Sequence, residues 1–259
     1  MSKSHWEMCD LMFREEGKPP RSDIEEMMNK VYEGMLDWEE NLPACLRISE
    51  DSVPELLSFH MQYHGRIMTA FSFLKTPAEA DLDSKAKASV ALARQRCLSS
   101  AQAVSRLVSF LRKRWGPQRE SSVDMQFIFL GLFMLIDDLS TPESHATFVS
   151  LATAAFSLAG RWLLMKGMFR QVQITTMHTV GEPLSPEILR LFKRFERRLG
   201  RNEDRKHFNS AYPNFAAVLR QQDPDGSERA DLDLDGFLDT WSNFTIGDTG
   251  DSSASERDA

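Results

Sequence analysis

The sequence predicts an all-α fold, an irregular multi-helix bundle followed by a disordered acidic tail. Three observations carry that expectation. Apolar residues recur at three- and four-residue steps through most of the 259 residues. Proline and glycine clusters punctuate those segments at intervals suited to helices joined by short loops. No run of alternating β-branched residues reads as a strand, and no 20–50-residue repeat is visible.

Residues 1–21 show no period and end near the breaker cluster Gly17-Lys18-Pro19-Pro20. Ser22 and Glu25 fit a capping box that opens the first helix. Its apolar positions are Ile24, Met27, Met28, Val31, Met35, Leu36 and Trp38, and Pro43 ends it. Ser52 and Glu55 fit a second box before the stretch Leu56–Leu74. Large apolar side chains nearly encircle that helix, the pattern of one buried by several neighbours. Within it His60 and His64 sit four apart and share a face.

Lys75-Thr76-Pro77 closes that helix, and a long one runs from about Lys85 to Trp115, stopping at Gly116-Pro117. Asp124–Leu139 is almost wholly apolar and belongs deep in the core. Thr141-Pro142-Glu143 precedes a helix read as Ser144–Met165, and Lys166–Thr179 reads as irregular. Ser185-Pro186-Glu187 starts a short amphipathic helix, with Phe192 and Phe195 inside and Arg194, Arg197 and Arg198 outside. A weak helical stretch, Phe215–Leu219, precedes the tail. The organisation expected is a poorly ordered segment at 1–21, a helical regulatory domain at 22–220 and a disordered acidic-aromatic tail at 221–259.

Composition sets the compartment. A hydrophobic fraction of 42% and a charged fraction of 27% are those of a soluble globular chain. Cys9, Cys45 and Cys97 lack CxxC spacing, which argues against a disulfide framework or a cysteine zinc site and for a reducing compartment. Neither a signal peptide nor a membrane span is legible. The net charge of −7 is uneven, with −9 on residues 221–259 and +2 on the remainder.

Four motifs invite chemistry and fall short of it. His60 and His64 have the spacing of helix-borne zinc ligands, but Met61 stands where a metalloprotease carries its glutamate base. Core histidines bonded to neighbours are the expectation. Asp137-Asp138 resembles the aspartate-rich magnesium motif of terpene synthases, yet Thr141 replaces the next acid, leaving a solvated pair at a helix end. Asp231, Asp233, Asp235 and Gly236 match the front of a calcium loop, but Ser242 occupies the bidentate glutamate position. The basic run from Lys193 to Lys206 reads as a solvated helix face. No cofactor, metal or catalytic residue is therefore assigned.

The tail is more informative. Asp231–Phe244 interleaves acids with Leu232, Leu234, Phe237, Leu238, Trp241 and Phe244. Acids keep such a segment solvated while its bulky residues remain available to a partner groove, the composition of acidic activation segments. Leu234, Phe237, Leu238, Trp241 and Phe244 are the expected partner-binding residues.

The string Trp38-Glu39-Glu40-Asn41-Leu42-Pro43, then Cys45-Leu46-Arg47-Ile48, then His60-Met61-Gln62-Tyr63-His64 and Phe71-Ser72-Phe73-Leu74 resembles the fungal zinc-cluster transcription factors. The likeness is to the C-terminal half of their middle homology regulatory region. It continues through Cys97 with Ser99-Ser100-Ala101, Trp115 and the phenylalanine-rich helix from Phe127, and it takes in the acidic tail. Phe71-Ser72 stands where that family usually has Arg-Pro, so no role tied to that arginine carries over. The signature residues expected in the core are Trp38, Leu42, Pro43, His60, Tyr63, His64, Phe73 and Leu74.

That family binds DNA through six cysteines holding two zinc ions, and three scattered cysteines cannot supply them. The resemblance therefore implies a regulatory and activation module without its own DNA-binding domain: a truncated family member, a mis-split gene product or a stand-alone module. It further implies a nuclear location, with the cytoplasm as alternative. Its partners would be transcription machinery or co-regulators through the tail, together with a small-molecule effector, and neither DNA nor membrane directly. The rival readings are a helical enzyme acting on an apolar or isoprenoid substrate through His60, His64, Asp137 or Asp138, and a degenerate inactive relic.

Overall fold

Seven α-helices, three single-turn 3-10 helices and no strand make up the described residues. The computed structural model of the protein describes residues 21–75, 84–180 and 184–198, without the side chains of Arg21, Phe73 and Leu163. The helices are α1 (Arg21–Glu40), α2 (Pro54–Lys75), α3 (Ser84–Trp115), α4 (Ser122–Leu135), α5 (Pro142–Ala159), α6 (Leu163–Val180) and α7 (Pro186–Arg198). The tail, the residues Leu234 to Phe244 expected to bind a partner, the Phe215–Leu219 stretch and the calcium-like loop all lie outside the described residues.

Helix α2 is central, as its apolar circumference requires. It shares its largest interface with α3 and packs also on α4 and α1. Leu57, Met61 and Met68 are fully buried along it. Gly65 lets α4 approach, because the Phe127 ring occupies the space where a side chain at 65 would stand. Trp115 Nε1 donates to Ser52 O at 3.1 Å, tying the end of α3 to the entry of α2. Helix α4 is buried along nearly its whole length against α2, α3, α5 and α6.

Boundaries differ from the sequence expectation where polar groups decide them. Helix α1 already includes Arg21, so Ser22 lies inside it, and Ser22 Oγ donates to Asp23 Oδ1 instead of capping. Ser52 Oγ accepts from Ser49 N at 2.7 Å, so it closes the preceding turn and does not cap α2. The capping box that forms is Ser121 with Asp124, where Asp124 N donates to Ser121 Oγ at 3.2 Å and Ser121 N donates to Asp124 Oδ2 at 2.7 Å. Asp124 lies inside α4, three residues after its cap, and does not start it.

The larger correction concerns residues 144–179. The helix expected to reach Met165 stops at Ala159, and the stretch read as irregular is α6. Met165, Phe169, Val172 and Thr176 keep a helical step along its buried face, but Arg170 and Gln173 lie buried beside them. Polar residues inside a core break the apolar period on which the sequence reading relies. They are partnered across the fold: Glu196 Oε1 on α7 accepts from Arg170 Nη1 at 2.8 Å and from Gln173 Nε2 at 2.9 Å. Phe169 meets Phe195 with ring centroids 4.7 Å apart, which completes the α6–α7 contact. No described helix is long and apolar enough to cross a membrane.

Candidate functional site

The C-terminal end of α1, the connector after it and the first half of α2 gather most of the signature residues. Trp38 stacks on Tyr63 with centroids 5.5 Å apart at 26° and meets Phe59 edge-on at 5.4 Å. Such aromatic pairs each add about 0.5–1.5 kcal/mol beyond the area they bury. Tyr63 Oη donates to Glu39 Oε2 at 2.9 Å. Burial, followed by that carboxylate, pushes the phenol's pKa well above its usual range. Leu42 is buried and Pro43 exposed, while Leu74 is buried at the far end of α2. Phe73 is the signature residue whose side chain lies outside the description.

The connector is fixed by polar contacts to this helix pair. His60 Nε2 bonds to Leu46 O at 2.8 Å, holding the Ala44–Leu46 turn onto α2. Arg47 reaches back to α1, with Nε donating to Leu42 O at 3.0 Å and Nη2 to Glu40 O at 3.2 Å. His60 is thus the bonded core histidine that the sequence leads one to expect. His64 is not: its Nδ1 is buried and has no hydrogen-bond partner. Burial, reinforced by His60 and Arg106, lowers its pKa to about 4, so the ring is neutral near pH 7.

A cavity of about 630 Å3 opens beside the pair. Glu39, Glu40 and Leu42 line it from the α1 end, Arg47 and Ile48 from the connector, and His60 and His64 from α2. Ala103, Arg106, Leu107 and Phe110 line it from α3, at a spacing that puts them on one helix face. A reading of the sequence is drawn to the neighbouring apolar stripe of α3, Cys97, Val104, Val108 and Leu111, which is buried in the core. The signal it passed over is Arg106, a cation interrupting the apolar positions 103, 107 and 110. Chemically the cavity offers the guanidinium groups of Arg47 and Arg106, the carboxylates of Glu39 and Glu40, a neutral imidazole and an apolar wall, a set suited to binding.

The Asp137-Asp138 pair is built differently from a metal-binding carboxylate pair. Asp138 is buried, contrary to the solvated pair expected, and its Oδ1 accepts from Arg94 Nε at 2.6 Å. Lys75 Nζ, itself buried, donates to Met134 O at 2.6 Å and to Asp137 Oδ2 at 3.0 Å, and lies 3.8 Å from Asp138 Oδ2. Two cations thus answer the two carboxylates, and the cluster locks the ends of α2 and α4 together with α3. Neither aspartate lines the cavity of the histidine pair. Among the described residues no group of three or more His, Cys, Asp or Glu side chains could hold a metal ion.

Against known proteins, the chain is 28% identical over 171 residues, or 63% of its length, to the notoamide biosynthesis transcriptional activator of Aspergillus versicolor. It spans 28% of that protein's length. No family model matches the sequence, and no solved structure matches it.

Proposed function

We propose that this chain is a helical regulatory module of a fungal transcription regulator, related to the zinc-cluster family. The carrying observation is the likeness of 63% of the chain to a fungal transcriptional activator. The clustering of Trp38, Leu42, His60, Tyr63 and His64 in one corner of the fold supports the reading. Those residues belong to one packed unit, as a shared regulatory signature requires. The tail recruits transcription machinery or a co-regulator through Leu234, Phe237, Leu238, Trp241 and Phe244, and the chain works in the nucleus.

The enzymatic alternative draws nothing from the carboxylates, because Asp137 and Asp138 are engaged by Lys75 and Arg94. The test of the tail is a reporter assay with residues 221–259 fused to a heterologous DNA-binding domain. Reporter activity that falls to background when Phe237, Trp241 and Phe244 are replaced by alanine is the expected result. An inactive fusion, or one indifferent to those three replacements, overturns the assignment of activation to the tail.

A further inference from the structure

We infer that the cavity between α2, α3 and the connector is a binding site for a small monoanionic carboxylate with an apolar body. This deepens the regulatory reading and rests on it only for biological meaning, since binding is measured without transcription. Size is the first argument: about 630 Å3 falls within the range of small-molecule sites, roughly 300–1,000 Å3.

The second argument is the state of the charges. Arg106 lines the cavity and makes no hydrogen bond or ion pair with any described residue. Arg47 is held by the carbonyls of Leu42 and Glu40, which orient the guanidinium without neutralising it. Of the two lining carboxylates, Glu39 already accepts from Tyr63, and Glu40 is exposed with no hydrogen bond to its side chain among the described residues. A hydroxyl donor does not cancel the charge of Glu39, so two guanidiniums face two carboxylates. Arg106 is the lining cation with neither a hydrogen bond nor an ion pair to a described residue, and a single ligand carboxylate answers it. A guanidinium recognises a carboxylate by paired, charge-assisted hydrogen bonds.

The third argument is the histidine. His64 lines the cavity and carries a buried nitrogen, Nδ1, that no described residue satisfies. Unsatisfied buried polar atoms are uncommon in packed cores, where an unmade hydrogen bond is costly. A site that receives a ligand accounts for an imidazole kept neutral at the wall. Leu107, next to Arg106, and Phe110, one turn of α3 further on, give the ligand's body an apolar surface. The polar end of the ligand thus meets Arg106 and His64, and its hydrocarbon part lies along α3.

Titration calorimetry of the full chain with 3-phenylpropanoate, and separately with its uncharged amide, tests the assignment. Saturable binding of the carboxylate is expected, with the amide weaker by about tenfold or more. Arg106→Gln alters an exposed side chain and keeps the fold; it removes the preference for the carboxylate, while Arg119→Gln, outside the cavity, leaves it intact. His64→Phe weakens both probes. Absence of saturable heat from the carboxylate, equal binding of the amide, or a carboxylate preference that survives Arg106→Gln overturns the proposal. Failure here leaves the transcriptional reading standing, and a silent reporter leaves the binding result standing.

Discussion

The Phe127 ring of α4 fills the space directly over Gly65 of α2, so that a methyl group added at 65 would overlap the ring. Both positions are buried, and α2 and α4 can cross this closely only because residue 65 has no side chain. Gly65→Ala therefore destabilises the protein by about 1–3 kcal/mol through overpacking. Gly34, inside α1 with open space around it, gives the opposite sign: Gly34→Ala stabilises by about 0.5–1 kcal/mol. Urea unfolding of the two variants checks the pair, and a neutral Gly65→Ala would contradict the packing described.

His64 sets a pH dependence. Its pKa falls from 6.5 to about 4 on folding, so between those values the unfolded chain binds more protons than the folded one. Stability is therefore lost as pH drops through that window, by on the order of 2–3 kcal/mol at its foot. Carboxylates titrate nearby, so the measurement is the difference between the wild type and His64→Gln across pH 4–7. Wild-type stability falling more steeply than the variant's on acidification is expected. Parallel curves would show that His64 titrates as an ordinary exposed histidine.

The cysteines should separate by reactivity. Cys97 is buried, and burial pushes its thiol up to about 12, which leaves almost no thiolate near neutral pH. Cys45 is exposed. Brief treatment of the folded protein with iodoacetamide should modify Cys45 and spare Cys97 until denaturant is added, as peptide mass analysis would read. Equal modification of both in the native protein would place Cys97 outside the core.

Much of the fold was legible in the sequence because the helices obey a simple period. Breaker clusters bracket α2 and α3 closely, and the apolar circumference of α2 and α4 announces their burial. What misled was polarity inside the core. Arg170 and Gln173 interrupt the period of α6 and make sense only once Glu196, more than twenty residues downstream, is seen accepting from both. Likewise Ser22 and Ser52 carry the local grammar of a cap, yet chain geometry gives that role at α4 to Ser121, paired with an aspartate in place of the usual glutamate.

The candidate site was legible by half. His60 and His64 advertise themselves by spacing, and Met61 in the place of a glutamate base turns the reading away from hydrolysis. Arg47 and Arg106 did not, because an arginine on an amphipathic helix or in a loop ordinarily marks solvent. Only the cavity brings them beside the histidines. The buried pairing of Asp138 was hidden for the same reason, since Lys75 and Arg94 lie more than forty residues away in sequence.

Tethering the whole chain to a heterologous DNA-binding domain in a fungal reporter strain tests the central claim most directly. A transcriptional regulatory module activates the reporter above the DNA-binding domain alone, and the Phe237, Trp241 and Phe244 alanine variant returns it to background at equal protein level. A tethered chain that is stably expressed in the nucleus and leaves the reporter unchanged would contradict the account.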